Sequence, residues 1–326
     1  MLAGPAAAFA EQRADSNREL IVPKRLQPGD TVALTAPAGI VYDPDEFDRM
    51  KEVMESFGFN VTFGEYVRRR YGYFAGNDHQ RALDLMRFFL DPSVDGIVAV
   101  RGGWGCARIV PHLDFGQIRE HPKVYCGFSD NTTLHLALRA YSGLVSYHGP
   151  NGTSEWADLT KESFKTVLMN GEKARFEPAG KITTIASGEA EGVLLGGNLT
   201  ILTTSLGTPW QPDTEGAILF LEDIGEEPYK VDRMMTHLNS AGILDGLAGF
   251  IFGQCTDCEE EGEPDPFGFT IREVLEQHLR PLGIPAVMGL DIGHDPGNIT
   301  LPVGLRARMD AVSGVLQLLE QPALAE

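Results

Sequence analysis

The feature that most constrains the fold is a regular alternation, along the first half of the chain, of short apolar runs with amphipathic stretches. The apolar runs, which are typical of buried strands, lie at residues 31–35, 61–63, 96–100 and 124–128. Such an alternation predicts a mostly parallel sheet with right-handed helical crossovers. Active residues of these sheets gather at the carboxyl ends of the strands. The candidate site loops are therefore 36–39, 101–105 and 129–130.

The second half of the chain follows another pattern, with strong strands at 218–221 and 249–253 and a final β-hairpin around Ser313-Gly314. At about 150 residues per domain, a chain of 326 residues predicts two domains. We therefore expect an α/β protein made of an N-terminal α/β domain over 21–160, a linker over 161–188 and a smaller, β-rich, mixed α/β domain over 189–326.

Charge and hydropathy exclude two classes of partner. The chain carries 46 Asp and Glu against 27 Lys and Arg, a net charge of −19. A chain this acidic repels phosphate backbones, so nucleic acid is not an expected partner. No apolar run approaches the ~20 residues that a membrane-spanning helix needs, so no membrane span is expected either.

Residues 1–20 stand apart from both predicted domains. Met1 to Ala10 are apolar and end in Ala8-Phe9-Ala10, a small-x-small pattern of the kind that signal peptidase cleaves, but no basic segment precedes them. The segment is either a disordered arm or the tail of an export signal. We expect a cytoplasmic protein, and the export signal would instead place it in the periplasm.

Cysteine usage indicates little chemistry. The chain has 4 Cys, too few for a disulfide framework. Cys255-Thr256-Asp257-Cys258 is a single C-x-x-C segment, and a zinc site would need a second pair or histidines at matching spacing. We therefore interpret the cysteines as incidental and expect no metal.

The sharpest local motif is Gly127-Phe128-Ser129-Asp130, which links a buried strand to the start of a helix. A serine on such a turn presents its hydroxyl at the sheet edge, and the N–H groups of the helix start face a developing oxyanion. Asn131 stands where the G-x-S-x-G elbow has its second glycine. Taken alone, the segment favours the simpler interpretation that Ser129 is a helix N-cap.

A serine nucleophile needs a base, and the base needs an acid to orient it. Among the 8 His, His294 is the best base, because its Gly-, Pro- and Asn-rich loop can present a side chain to a cleft. Glu222 is the best orienting acid, because it ends an apolar strand. The simpler alternatives are an exposed loop histidine and a solvated glutamate. His148 is a rival base, whereas His135 is expected to pack within the helix that follows Ser129.

Two glycine-rich segments could bring backbone close to a ligand. The segment 101–105 follows a strand but lacks the Lys-Ser/Thr of a P-loop and the G-x-G-x-x-G pattern. It could supply an oxyanion N–H group. Gly196-Gly197-Asn198 is the second segment, for which an ordinary turn is the alternative. The candidate substrate-binding residues are Arg101, Trp104 and Asn198.

In chain order these motifs resemble the LD-carboxypeptidase family of serine peptidases, which includes the microcin C self-immunity peptidases. The resemblance runs from about Leu26 to Met309. It rests on 35–39, 101–105, 127–130 with 134–135, 147–150, 195–199, 221–223, and 293–294 with Pro302. Each motif is modest, but the ordered set is specific.

The resemblance implies a catalytic triad of Ser129, Glu222 and His294, completed across the domain cleft, and an oxyanion hole formed by the backbone N–H groups of Gly103 and Asp130. It also implies a flavodoxin-like N-terminal domain, a homodimer, and no metal or cofactor. The reaction it implies is hydrolysis of the L,D peptide bond before the terminal D-alanine of murein tetrapeptide, in peptidoglycan recycling or remodelling.

Two other functions stay open at this point. An immunity-type peptidase would use the same triad to cleave an amide between a peptide or amino acid and a nucleotide-like group. Trp104 or Trp210 could stack on the base, although packing is the simpler interpretation of both. A non-catalytic two-domain ligand-binding protein would show no activity that depends on Ser129. A dinucleotide-dependent oxidoreductase is disfavoured, because the dinucleotide fingerprint is absent.

Overall fold

The chain divides into two compact units, seen in a computed structural model that describes Asp15, residues 18–258 and residues 268–325. The first unit extends to Glu172 and also takes in Thr300–Val303 and Pro322–Glu326. The second unit consists of Lys173–Ile299 and Gly304–Gln321. The sequence indicates residues 1–20 as a disordered arm or a signal remnant, and of these the structure describes Asp15 and residues 18–20. The Asp15 N–H donates to the Ala140 carbonyl at 2.9 Å, and the rest of that interpretation lies outside the described residues.

The first unit is built on a 6-stranded sheet. Its strands, numbered along the whole chain, are β1 (Thr31–Thr35), β2 (Asn60–Phe63), β3 (Gly96–Ala99), β4 (Val124–Gly127), β5 (Ser146–His148) and β12 (Leu301–Val303). Their order in the sheet is β12-β5-β4-β3-β1-β2. Strands β1 to β5 are parallel, and β12 pairs antiparallel with β5 at the edge. The order β2-β1-β3-β4-β5 is that of flavodoxin-like folds, which confirms the predicted fold class.

The strands at the centre of this sheet are almost completely buried. Every residue of β3 and β4 is buried, as are the last four residues of β1. A parallel strand that is covered on both faces needs apolar side chains at every position rather than at alternate ones. This is why the sequence shows continuous apolar runs at these positions.

Helices connect these strands. Their bounds are Glu46–Ser56, Asp78–Leu90, Cys106–Ile109, Phe115–Glu120, Thr132–Ala137 and Asp158–Phe164, with shorter 3₁₀ or π turns at Val110–His112, Ser129–Asn131, Leu138–Ser142 and Lys165–Asn170. Asn77 and Gln80 form a reciprocal capping box at the start of the second helix. The first helix begins after Asp45, which makes no side-chain cap hydrogen bond. The Asp43 carboxylate accepts the N–H of Asp45 at 3.0 Å, before the helix begins.

The second unit is built on an 8-stranded sheet. Its strands are β6 (Arg175–Phe176), β7 (Thr183–Ala186), β8 (Glu189–Asn198), β9 (Ala217–Ile224), β10 (Gly249–Thr256), β11 (Ala286–Met288), β13 (Arg306–Asp310) and β14 (Val315–Leu318). Their order is β6-β14-β13-β8-β9-β10-β11-β7. Strands β8 to β11 are parallel, and the flanking strands are antiparallel. This mixed sheet and its final β13–β14 hairpin agree with the sequence-based prediction.

The helices of the second unit are Leu199–Thr204, Pro228–Ser240 and Ile271–Leu279, followed by the 3₁₀ turn Arg280–Leu282. Across the described residues, none of the helices combines the length and the apolar character needed to cross a membrane.

The segment 161–188, which the sequence indicates as a linker, contains regular structure. It holds the end of the helix Asp158–Phe164 and the strands β6 and β7, which form the two edges of the second sheet. Both strands are short and at most partly buried. Edge strands of this kind carry little apolar alternation, so they leave a weak sequence pattern.

The C-x-x-C segment requires a correction. The chain turns at Asp257, whose φ of 53° is left-handed, and this turn brings the Cα atoms of Cys255 and Cys258 within 5.3 Å in a disulfide. The interpretation of the cysteines as incidental is therefore wrong for this pair. Cys106 and Cys126 are free thiols buried in the first unit.

Candidate active site

Ser129 lies on a strained turn directly after β4. Its φ is 64°, in the left-handed region that side chains other than glycine rarely adopt. A residue held there costs roughly 1–3 kcal/mol, and such strain persists where the surroundings over-determine the conformation. The residue begins the 3₁₀ turn Ser129–Asn131, which runs into the helix Thr132–Ala137. The strand–turn–helix geometry is that of a nucleophile elbow, although Asn131 replaces the second glycine of the motif.

A network of buried hydrogen bonds holds this turn in place. The Tyr125 hydroxyl donates to Asn131 Oδ1 at 2.6 Å, and Asn131 Nδ2 donates to the Phe128 carbonyl at 3.0 Å. Asn151 Oδ1 accepts the N–H of Phe128 at 3.2 Å. These partners leave no signal in the sequence, because Asn151 lies beyond β5 and no local pattern links it to the turn.

The two histidines near this turn are buried. Burial lowers the pKa of His135 to about 4, so its ring is neutral at pH 7. Its Nε2–H donates to the Gly127 carbonyl and its Nδ1 accepts from the Ser146 hydroxyl, both at 2.8 Å. The expectation that His135 packs is therefore confirmed. His148, the rival base, has no exposed surface and lies with its ring centroid 5.9 Å from that of Phe128.

The glycine-rich loop 101–105 lies directly against Ser129. A Cβ placed on Gly102 would be 2.8 Å from Ser129 Cβ and 2.9 Å from its Oγ, closer than packed atoms tolerate. Gly103 follows with a φ of 104°, a conformation that favours glycine. The backbone of this loop can approach the serine only because glycine occupies these positions.

Arg101 and Trp104 differ in how they are held. The Arg101 guanidinium donates to the Ile40 carbonyl at 2.9 Å and lies 5.3 Å from the ring centroid of Tyr42. Trp104 is exposed over 41% of its surface. Both belong to the loop that touches Ser129.

Asp130 ties the Ser129 turn to the far end of the same loop. Its Oδ2 accepts the N–H of Cys106 at 2.8 Å, and the residue is completely buried. Burial raises the pKa of Asp130 to about 6, while the N–H groups of Cys106 and Gly105 favour the ionised form.

The second unit brings Glu222 and His294 together. His294 Nδ1–H donates to Glu222 Oε2 at 2.7 Å. The glutamate side chain has 0% exposed surface and the histidine 15%. Gly293 makes this approach possible, because its φ is 140° and a Cβ there would lie 3.3 Å from Glu222 Oε2. The bond through Nδ1 sets the tautomer and leaves Nε2 as the basic nitrogen of the neutral ring.

The contact between Glu222 and His294, together with their burial, shifts the pKa of both side chains. Burial raises the pKa of Glu222, and the hydrogen bond from His294 opposes that rise. For His294, burial lowers the pKa, but the hydrogen bond and the negative charge of Glu222 outweigh it and raise the pKa above 6.5. A carboxylate that is buried against one imidazole therefore makes that imidazole a stronger base.

Asn198 and Asp223 surround this pair with further hydrogen bonds. Asn198 stands opposite Glu222 in the β8–β9 register. Its Nδ2 donates to Asp223 Oδ1 at 2.9 Å, and its Oδ1 accepts the Ile201 N–H at 3.1 Å, capping the next helix. Asp223 Oδ2 also accepts from the N–H and the hydroxyl of Thr200. Asp223 was not predicted as a site residue, since its only signal in the sequence is its place at the end of an apolar strand.

The predicted residues are thus divided between the two units. The first unit groups Ser129 and Asp130 with the loop that holds Arg101, Gly103 and Trp104. The second unit groups Asn198, Glu222 and His294.

Comparison with known proteins agrees with this division. The chain matches the LD-carboxypeptidase N-terminal domain over residues 32–149 and the LD-carboxypeptidase C-terminal domain over residues 191–309. It is 39% identical over 296 residues to a probable murein peptide carboxypeptidase of Bacillus subtilis, covering 88% of this chain and 91% of that one.

Solved structures give the same result. A muramoyltetrapeptide carboxypeptidase from Oxalobacter formigenes superposes with a TM-score of 0.78 at 34% identity, covering 88% of this chain and 97% of that chain. The microcin C7 self-immunity protein MccF, solved in complex with aspartyl sulfamoyl adenosine, gives a TM-score of 0.86 at 25% identity, covering 93% and 100%. The chain is therefore an enzyme of the LD-carboxypeptidase family of serine peptidases, and it carries both domains of that family in order.

Proposed function

We propose that this enzyme removes the terminal D-alanine of murein tetrapeptide by hydrolysing its L,D peptide bond, with Ser129, His294 and Glu222 as the catalytic triad. The observation that carries the proposal is the fully buried Glu222 carboxylate bonded to His294 at 2.7 Å. A buried carboxylate is costly unless it is paired, and this pairing produces an oriented base of raised pKa. The names of the relatives support murein peptide as the substrate.

Acylation begins when Ser129 Oγ attacks the carbonyl carbon that joins the L-centre of diaminopimelate to D-alanine. His294 Nε2 takes the hydroxyl proton, and Glu222 stabilises the imidazolium that forms. When the tetrahedral intermediate collapses, the C–N bond breaks and the same proton passes from His294 to the leaving amine. D-alanine departs, and the tripeptide stays bound to Ser129 as an ester.

Deacylation repeats these roles with water. His294 removes a proton from a water molecule, whose oxygen attacks the ester carbonyl. The proton then returns to Ser129 Oγ as the tripeptide carboxylate leaves. Each half-reaction passes through an oxyanion intermediate. We propose that the backbone N–H groups of Gly103 and Asp130 stabilise this oxyanion by donating hydrogen bonds to it. The contact of the Gly102 backbone with Ser129 supports this assignment, and one such donor contributes about 10²–10³ in rate.

A carboxypeptidase must also hold the terminal carboxylate of its substrate. We propose Arg101 for this contact, because its guanidinium is a cation on the loop that touches Ser129, in a chain of net charge −19. Trp104 and Asn198 are the other candidate substrate contacts. The mechanism requires no metal or cofactor, since the triad and the backbone donors supply the base, the nucleophile and the oxyanion stabilisation.

The experiment is incubation of the purified protein with murein tetrapeptide, with mass spectrometry for tripeptide and free D-alanine. Ser129→Ala should abolish the release, and a serine-directed phosphonate should label the wild type at Ser129 only. Ser56→Ala, at an exposed position in a helix of the first unit, is the matched control and should keep full activity. Near-normal turnover by Ser129→Ala would refute the mechanism. Absence of both turnover and labelling in the wild type would support the non-catalytic ligand-binding alternative.

A second candidate function has one observation in its favour. The TM-score of 0.86 against MccF in complex with aspartyl sulfamoyl adenosine supports a peptidase that cleaves aminoacyl-nucleotide amides with the same triad. Tetrapeptide and an aminoacyl sulfamoyl nucleoside, assayed side by side, separate the two functions. Preferential cleavage of the nucleoside would replace the murein proposal.

Assembly and location complete the proposal. We propose a homodimer, as the family resemblance implies, and sedimentation equilibrium tests this by measuring the mass of the assembly. We propose no nucleic-acid partner.

We propose a cytoplasmic location, where murein peptides would be recycled. Ala8-Phe9-Ala10 and the disulfide favour the periplasmic alternative, because disulfides persist in oxidising compartments. Cell fractionation with sequencing of the mature N-terminus distinguishes them.

A further inference from the structure

Arg81 is a completely buried cation that the mechanism does not use. It belongs to the helix Asp78–Leu90, and its side chain has 0% exposed surface. Its Nη2 donates to Asp78 Oδ1 at 2.5 Å, and the guanidinium lies 4.6 Å from the ring centroid of Phe74. Its Nη1 donates to two backbone carbonyls, those of Pro37 and Gly105, the latter at 2.9 Å. A buried guanidinium that faces carbonyls fixes the backbone around it.

The two carbonyls belong to different loops of the sheet edge. Pro37 lies in the loop that follows β1, and Gly105 ends the glycine-rich loop that follows β3. The same two loops are joined directly, since the Gly39 N–H donates to the Gly102 carbonyl at 3.2 Å. Arg81 therefore ties the glycine-rich loop to a neighbouring loop at the end opposite Gly102. A Cβ on Gly105 would lie 2.6 Å from Arg81 Nη1, so the guanidinium fills the space that glycine leaves.

Asp130 holds the same loop from the other side. Its Oδ2 accepts the N–H of Cys106, the residue that follows Gly105, at 2.8 Å. Because Asp130 is the next residue after Ser129, this bond connects the end of the glycine-rich loop to the nucleophile turn. The loop is thus fixed at Gly105 and Cys106 by two buried side chains, and at Gly102 by its contact with Ser129.

We propose that the Arg81 and Asp130 side chains are positioning residues for the oxyanion hole. By holding Gly105 and Cys106, they set the distance between the Gly103 N–H and the Asp130 N–H, the two donors that must converge on one oxygen. Neither side chain touches the substrate in this scheme. The inference rests on the proposed function and deepens it, since it explains how two donors on separate elements stay in register.

The chemistry of Arg81 explains why another cation would not serve. The planar guanidinium offers several N–H donors in a fixed fork, so it can bind two carbonyls and a carboxylate at once. A lysine carries the same charge on a single flexible ammonium and cannot reproduce that geometry. Arg81→Lys therefore separates charge from geometry, and Arg81→Met removes both.

The chain offers a matched control in the same unit. Arg119 Nη1 also donates to two backbone carbonyls, those of Ser142 at 2.7 Å and Glu19 at 3.1 Å. Neither acceptor lies in the loops around Ser129. Arg119→Met removes the same kind of bridge and should lower the melting temperature without affecting the oxyanion donors.

The test measures kcat and KM for D-alanine release, the rate of phosphonate labelling at Ser129, and the melting temperature of each variant. Arg81→Lys and Asp130→Asn should lower kcat by about 10-fold, and Arg81→Met by about 100-fold, with KM changed less than about 3-fold. Labelling should slow by the same factors. Arg119→Met should keep kcat within about 2-fold of the wild type. A kcat loss in Arg119→Met equal to that in Arg81→Met, or unchanged kcat in Arg81→Met, would overturn the proposal.

Hydrogen exchange separates this inference from the proposed function. In Arg81→Met the amides of residues 101–106 should exchange faster, while those of β5 and the Arg119 helix should not. This readout needs no substrate. A wild type that releases no D-alanine and takes no phosphonate would refute the proposed function alone, whereas unchanged exchange at 101–106 in Arg81→Met would refute the positioning role even in an active enzyme.

Discussion

In the first unit, the region around Ser129 is defined by the conformation of its backbone. A left-handed serine, a loop that only glycine permits, and N–H groups held by buried side chains make up the region. In the second unit, the region around Glu222 is defined by charge and hydrogen bonding. It consists of a buried carboxylate, the imidazole that this carboxylate orients, and the hydrogen bonds that surround the pair. Substitutions in the first region should therefore act by displacing atoms, and those in the second by changing protonation.

Among the substitutions that test this contrast, the largest effect is expected from the one that removes charge alone. Glu222→Gln keeps the size of the side chain but loses the carboxylate that fixes the His294 tautomer and stabilises the imidazolium. We expect kcat to fall by about 10³–10⁴-fold with little change in the melting temperature. Steady-state release of D-alanine measures the loss. A fall of less than about 10-fold would show that His294 does not depend on this partner.

A displacement in the first unit should have a smaller effect. Gly102→Ala places a Cβ 2.8 Å from Ser129 Cβ, so the loop and the serine must move apart. A displacement of about 1 Å near the reacting atoms costs roughly 100-fold in kcat, and the pH dependence should stay that of the wild type. Gly116→Ala, at an exposed position of the helix Phe115–Glu120, is the control and should leave kcat unchanged. Equal activity of the two variants would contradict the contact.

The pH profile distinguishes the two regions directly. His294 acts as a base only when it is neutral, and Glu222 raises the pKa of His294 above 6.5. The value of kcat/KM should therefore fall as pH decreases through that raised pKa. Glu222→Gln removes the carboxylate whose hydrogen bond and charge raise the pKa of His294 most, so burial is opposed only by the charges of Asp223 and Asp295. The acid limb should therefore move to lower pH. Phosphonate labelling across pH gives the same midpoint without substrate. An acid limb that stays in place would assign the titration to another group.

The smallest effect concerns stability. Ser129→Gly and Ser129→Ala both remove the hydroxyl, but only glycine adopts a φ of 64° without strain. We expect the glycine variant to have the larger free energy of unfolding, by about 1 kcal/mol, as measured by urea denaturation. Equal stabilities would mean that the turn relaxes when the serine is replaced.

The sequence predicted the parts of this molecule that depend on local pattern. Buried parallel strands are continuous apolar runs, so β1, β3 and β4 were predicted within a residue of their observed bounds. Ser129 was recognisable because it follows such a strand. Glu222 and His294 were chosen as an acid and base, and the structure brings them within hydrogen-bond distance.

What the sequence did not predict depends on contacts between distant residues. Arg81 has the appearance of any charged residue of an amphipathic helix, and its burial arises only when the loops after β1 and β3 fold over it. Asn151 reaches the Ser129 turn from the segment that follows β5. The Cys255–Cys258 disulfide required the left-handed turn at Asp257, which a residue other than glycine seldom adopts.

The strand β12 has a consequence for how this protein can be divided. Thr300–Val303 belong to the first unit, where β12 covers the edge of β5, yet they follow the His294 loop of the second unit along the chain. A polypeptide that stops at residue 172 would leave β5 with a bare hydrogen-bonding edge, a surface prone to aggregation. The first half of the chain is therefore not a self-sufficient module. A chimera that exchanges the second unit between relatives must graft back this returning strand, because a single crossover point would separate β12 from the sheet it completes.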